Sequence, residues 1–209
     1  MNPPKKTPKL YLGLCIWLAI TGVGFWNLLR YSNTPGKSVS NASLNEKWPA
    51  GTQLHQKINT PTLVIFAHPR CPCSVATIGE LERLIPHIHG KITSQIVFFN
   101  SKSTTRGIEQ EKLWKKASSI PGVQVVLDKD GSEMTRFGAQ TSGQTFLYDS
   151  KGILAFHGGI TPQRGDMGDN LGRAAILAVA KTGITAIANT PVFGCSLKNP
   201  ERKVASDSK

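Results

Sequence analysis

Thr62-Leu63-Val64-Ile65-Phe66-Ala67-His68-Pro69-Arg70-Cys71-Pro72-Cys73-Ser74 runs from an unbroken apolar stretch straight into a pair of cysteines. The apolar part, Thr62 to Ala67, is bounded by Pro61 and Pro69 and has no polar alternation. That predicts a central strand covered on both faces. After the cysteines, Val75, Ile78, Leu81, Leu84, Ile85 and Ile88 recur at steps of three and four, which predicts an amphipathic helix from Ser74 that ends at Gly90. A reactive side-chain pair therefore stands between a buried strand and the amino end of a helix. Open α/β sheets gather their chemistry there, at the carboxyl ends of their strands.

Outward from this unit, strands and helices alternate. Ile92 to Phe99 reads as a second strand, Glu109 to Ser118 as a helix before Pro121, and Val123 to Leu127 as a third strand closed by the turn Asp128-Lys129-Asp130-Gly131. A short helix through Phe137 follows. Gln144 to Tyr148 and Ile153 to Phe156 flank the turn Asp149-Ser150-Lys151-Gly152 as a hairpin, and a last helix covers about Asn170 to Lys181, capped by Asp169 or Asn170. The order β-α-β-α-β-α-β-β-α implies a three-layer α/β/α sandwich with a mixed, mainly parallel sheet and an antiparallel edge.

The flanks differ in composition. The 209-residue chain has 25 Lys plus Arg against 13 Asp plus Glu, a net charge of +12. Between Pro61 and Cys195 there are 14 basic and 10 acidic residues, so only +4 falls on the folded part and +8 on the flanks. A nucleic-acid partner, which needs its cations clustered on a folded face, is not expected. Lys5, Lys6 and Lys9 precede the uncharged run Leu10 to Leu29, and Arg30 closes it. About twenty residues at 1.5 Å rise match the ~30 Å hydrocarbon core, with Tyr11, Trp17 and Trp26 as interfacial aromatics. The positive-inside bias puts the amino terminus in the cytoplasm and the domain outside it, in the periplasm if the membrane is a bacterial inner membrane. No A-x-A pattern follows the run, so an uncleaved single-pass anchor is expected rather than a signal peptide. Cys15 lies inside that run and reads as a small apolar residue. The expected organisation is 1–9 cytoplasmic, 10–29 transmembrane, 30–60 linker, 61–195 domain and 196–209 flexible tail. Trp48 to Ile58 is left open as tether or domain edge.

Four cysteines are too few for a disulfide scaffold, so each needs its own explanation. Unpaired backbone N–H groups at the start of the first domain helix, together with Arg70, favour a thiolate at the Cys71-Pro72-Cys73 motif. A disulfide across Pro72 alone would close a strained ring and be labile.

Strand, cysteine motif with a proline, helix and terminal β-β-α resemble the thioredoxin fold over Pro61 to Lys181. The chain looks most like membrane-anchored redoxins of the TlpA and ResA type, and FAHPRCPCS (66–74) is similar to proteins labelled RedB. The resemblance implies thiol-disulfide exchange with a protein thiol or disulfide outside the cytosol, possible partners including membrane proteins. It implies catalytic Cys71 and Cys73, the more amino-terminal cysteine being an exposed nucleophile, and no resident cofactor. Supporting positions are Arg70, Pro72, Ser74 and Gly143.

The sequence departs from that family at two places. One residue, not two, separates the cysteines, so either Cys71 attacks with Ser74 in the second slot, or Cys73 fills that slot and Arg70 the first. The loop Thr141-Ser142-Gly143-Gln144-Thr145, where redoxins carry a cis-proline, has none. The peroxiredoxin motif is also missing around Pro69 and Cys71. A competing expectation is a copper-handling protein on the same fold, with Cys71, Cys73 and either His157 or His68 as soft ligands. The loop Gly158 to Gly172 holds five glycines but no Walker Lys-Ser pair, so loop geometry is its expected use. Cys195 reads as resolving partner, metal ligand or bystander, with Val192-Phe193 able to dock the tail.

Overall fold

A computed structural model describes residues 8–37, 46–100 and 112–198. The chain divides at Thr34 and Pro35 into two compact units. The first holds one helix, α1 (Pro8–Asn33), longer than the 10–29 span read from the sequence because Arg30 to Asn33 continue it. It is long and apolar enough to cross a membrane, a property that an anchor and a signal sequence share.

The second unit is the expected thioredoxin-like α/β/α sandwich. Its elements are β1 (Thr62–Ala67), α2 (Pro72–Ile88), β2 (Thr93–Asn100), α3 (Lys112–Ser118), β3 (Val123–Lys129), α4 (Ser132–Phe137), β4 (Gln144–Tyr148), β5 (Leu154–Gly158) and α5 (Leu171–Thr182). The expected start of α3 at Glu109 lies outside the described residues. The sheet order is β3-β2-β1-β4-β5. β1 to β3 run parallel, and β4 and β5 add an antiparallel edge. All six β1 residues are buried, as a strand with neighbours on both sides and layers on both faces requires.

Alternation along β1 sorts the two cores. Leu63, Ile65 and Ala67 face the layer of α2, α3 and α5, where Ile78, Leu81, Ile85, Ala117 and Ile176 pack. Val64 and Phe66 face Met134 and Phe137 of α4, with Phe146 and Tyr148. Pro72 opens α2 at a position where its missing N–H costs nothing. Asn170 caps α5 by accepting the Arg173 N–H at 2.8 Å, the second of the two caps expected.

Two peripheral stretches belong to the domain. Trp48 packs edge-on against Tyr148 (5.1 Å) and Phe137 (5.5 Å), its N–H donates to the Gly152 carbonyl at 2.9 Å, and Leu54 is buried beneath it. The segment left open between tether and edge is therefore an edge. At the other end, residues 184–198 form an irregular strap that returns along β5 and over the carboxyl ends of β1 and α2's start. Ala188 and Thr190 bond the backbone of His157, the Gly36 N–H donates to Val192 O at 2.8 Å, and the Leu197 N–H donates to Gln140 O at 2.9 Å. Val192 and Leu197 are buried. The tail expected to fray from 196 is pinned at Ser196 and Leu197, because that backbone is paired with the loop at 140–141.

If Trp48 is part of the core, Trp48→Ala lowers unfolding free energy by about 3 kcal/mol in urea titrations of the full chain. A loss below about 0.5 kcal/mol would make it a surface tether residue.

Candidate redox site

Cys71 occupies the N-cap of α2 with extended dihedrals (φ −94°, ψ 123°), and Pro72 is the first helical residue. Cys73 follows one residue into the helix, and Ser74 one further. This placement fits the first of the two alternatives read from the spacing, with Cys71 at the cap and Ser74 three residues on. Ser74 is wholly buried and fully engaged. Its hydroxyl donates to His68 O (2.9 Å), accepts the His68 N–H (3.2 Å) and lies 2.5 Å from the Ser142 hydroxyl, which also accepts the His68 N–H (3.1 Å). That knot ties the end of β1 to the loop before β4.

The loop carries Gly143 where a cis-proline was expected to be missing, and no cis peptide occurs among the described residues. Gly143 sits at φ +90°, its N–H donates to Phe66 O at 2.7 Å, and a Cβ there would fall 2.7 Å from the Thr77 hydroxyl. Glycine satisfies both constraints. The backbone of this loop is paired with the chain's own strap. The Ser142 N–H donates to Cys195 O at 2.8 Å, and Thr141 bridges Ser196 in antiparallel fashion. Gly194 makes the approach possible, since a Cβ at that position would overlap the Ser142 carbonyl oxygen.

The strap brings Cys195 to the motif. The Sγ atoms of Cys71, Cys73 and Cys195 all lie within 4.8 Å of one another, and all three cysteines are free thiols. Neither His68 nor His157 joins them in that group, among the described residues. His68 turns its Nδ1 back to accept the Arg70 N–H at 3.2 Å. His157 is paired with Phe146 in the β4–β5 register, so it faces the α4 side of the sheet rather than α2. Burial, and for His68 also Arg70, lowers both imidazole pKa values, leaving the rings neutral near pH 7. The three sulfurs are thus the group that could hold a soft cation.

Charge is distributed unequally over the trio. Burial pushes the Cys71 thiol up, but hydrogen bonds from the Cys195 thiol and from the backbone N–H groups of Cys195, Ser74 and Cys73 outweigh it, and the net shift is downward. Cys73 shifts upward through burial, the neighbouring Cys71 charge and its own hydrogen bond to Cys71, against Arg164 and the Gly165 N–H. Cys195 is pushed up to about 12 by burial, then by donating to Cys71 and by the charges of Cys71 and Cys73, with Arg164 opposing. Of the three, Cys71 is therefore the sulfur most readily ionised, while Cys73 and Cys195 are shifted the other way. Sequence reasoning put Arg70 beside the thiolate, whereas Arg164 is the cation that acts on Cys73 and Cys195, and it also donates to Gly194 O at 2.5 Å. Arg164 lies in the glycine-rich loop read only as loop geometry.

Cys71 was expected to be exposed. It is only 4% exposed, with Cys195 of the strap against it, and it is one of the residues that line a groove of about 560 Å3. Pro69, Val75 and Leu113 give that groove apolar walls, and Arg70, Lys112 and Lys116 make its rim basic.

No protein-family model matches the chain, and no curated protein matches it in sequence. Solved structures do. A hypothetical protein from Sinorhizobium meliloti 1021 is 25% identical with a TM-score of 0.58, over 80% of this chain and 96% of its own. An uncharacterized conserved protein from Geobacillus kaustophilus is 19% identical with a TM-score of 0.58, over 81% and 95%. A weaker likeness, at TM-score 0.44, 15% identity and coverage of 59% and 84%, is to the exposed lipoprotein thioredoxin Etrx1 of Streptococcus pneumoniae.

Removing the Cys195 donor should raise the Cys71 pKa, because a hydrogen bond to the charged form is lost. The pH–rate profile of Cys71 alkylation by iodoacetamide then has its midpoint below an ordinary thiol's in the native chain, and higher in Cys195→Ala. Coincident midpoints would show that Cys195 does not touch the thiolate.

Proposed function

We propose that this protein is a membrane-anchored thiol-disulfide oxidoreductase that exchanges disulfides with a protein partner outside the cytosol, with Cys71 as the attacking sulfur. The observation that carries this reading is Cys71 itself: a sulfur at a helix N-cap, lowered in pKa by thiol and backbone donors, opening onto a groove. A thiolate is the nucleophile in exchange, and its availability near neutral pH sets the rate. Cys71 attacks one sulfur of a substrate disulfide, the substrate bond breaks, and the departing sulfur takes a proton. A mixed disulfide remains, and two thiols stand within reach of it to complete the exchange.

The groove suits a partner segment with apolar and acidic side chains, since its walls are apolar and its rim carries Arg70, Lys112 and Lys116. Anchoring rests on α1 and its flanks. Three lysines before the span and one arginine after it support a cytoplasmic amino terminus and an external domain.

With dithiothreitol as electron source and a protein disulfide as acceptor, Cys71→Ser reduces the rate at least about 100-fold, as loss of an attacking group does. Full activity in that variant would remove Cys71 from the role.

The third sulfur favours a second reading. Three thiolates without imidazole or carboxylate suit Cu(I), with Arg164 and the amino end of α2 offsetting the charge. One equivalent of Cu(I) then protects Cys71, Cys73 and Cys195 from alkylation together. Unchanged alkylation of any of the three in the presence of Cu(I) would exclude this site.

A further inference from the structure

The exchange reading needs a second thiol, and the helix does not offer the usual one. Ser74 fills the second slot, and its hydroxyl is fixed by His68 and Ser142. Cys73 lies in the sulfur cluster, but a bond to Cys71 would have to close over Pro72 alone, within the first turn of α2. Cys195 approaches from outside the helix, so closing on Cys71 encloses no small ring. Its backbone is held on both sides, by Ser142 on its own carbonyl and by the Thr141–Ser196 bridge and the Leu197 N–H to Gln140 O. The strap lies on the Thr141–Gly143 loop as an incoming polypeptide would, and it presents a cysteine to the attacking sulfur.

We propose that Cys195, carried on the C-terminal strap, is the resolving thiol of Cys71, so that the oxidised protein holds a Cys71–Cys195 disulfide and Cys73 remains a thiol. This rests on the exchange reading and names the second half of its chemistry. In the mixed disulfide, Cys195 gives up its proton and its sulfur attacks the Cys71 sulfur. The Cys71–Cys195 bond forms, the bond to the substrate breaks, and the departing substrate sulfur takes up a proton. Across both steps the substrate disulfide gains two electrons from the protein and two protons, one given up by Cys195 and one from solvent that replaces the proton Cys71 had already released to become the attacking thiolate. A substrate dithiol runs the sequence backwards and restores the reduced strap.

The test uses the full chain in detergent, with Cys15→Ser as the background so that only the trio reacts, and one equivalent of the aromatic disulfide 5,5′-dithiobis(2-nitrobenzoate) as probe. Attack by Cys71 releases the first equivalent of chromophore and resolution releases the second. Cys73→Ser is expected to release both and to yield a Cys71–Cys195 cross-linked peptide by mass spectrometry. Cys195→Ser is expected to stop after the first, with the second release slowed at least about 100-fold and the probe retained on Cys71. Gly194→Val keeps every thiol but displaces the strap from Ser142, and should slow the same second step. A second release from Cys195→Ser at the unsubstituted rate, or a predominant Cys71–Cys73 peptide, overturns the assignment while leaving exchange intact. No first release in the Cys15→Ser background overturns the exchange reading as well.

Discussion

Backbone pairing between the loop before β4 and the C-terminal strap fixes the site: the Ser142 N–H donates to Cys195 O, the Leu197 N–H donates to Gln140 O, and Thr141 bridges Ser196. It joins that loop to a segment some fifty residues further along the chain. Ser142 is itself tied through its hydroxyl to Ser74 and His68, at the first turn of α2 and the end of β1. Three pieces of chain distant in sequence thus meet within a few bonds of one another. A net gain of about 1 kcal/mol per buried hydrogen bond would not hold a strap alone, but Val192 and Leu197 are buried at its two ends and add apolar burial to the clamp.

Electrostatics follow from that clamp. Three sulfurs this close cannot all be ionised without repulsion, so the charge settles where donors are most numerous. Cys71 receives backbone N–H groups from the helix start and from Cys195, together with the Cys195 thiol. A charge on Cys71 would in turn hold the protons on the two remaining thiols, whose shifts are upward. The strap therefore does two things at once: it shields Cys71 from water, which alone would raise its pKa, and supplies the donors that reverse the effect.

The sequence revealed most of the frame because the frame obeys simple periods. The unbroken apolar run of β1, the three-and-four spacing of α2 and the turn at Asp149 to Gly152 all correspond to elements in the structure. The strap obeys no period. It is held by isolated bridges and by close backbone contact, so its signature was not hydrophobic pattern but glycine: Gly194 against Ser142, and Gly158 and Gly159 beneath Thr190 and Pro191. His157 illustrates the same limit. Its place at the end of the last strand was legible, but the register opposite Phe146 that turns it to the other side of the sheet was not.

A strap paired with the Thr141–Gly143 loop constrains how Cys71 can be reached. The face toward the Thr141–Gly143 loop is closed by Gly194 and Cys195, so the open approach is the opposite one, between the start of α2 and α3. Val75 stands half exposed on that side, and Arg70 and Lys116 flank it. Under the proposed exchange a substrate disulfide would arrive along this groove, whose lining includes Cys71 but not Cys195. The proposed resolution then needs attacking, central and leaving sulfurs nearly in line, a demand that entry by the groove places on the approach of the substrate rather than on the paired strap.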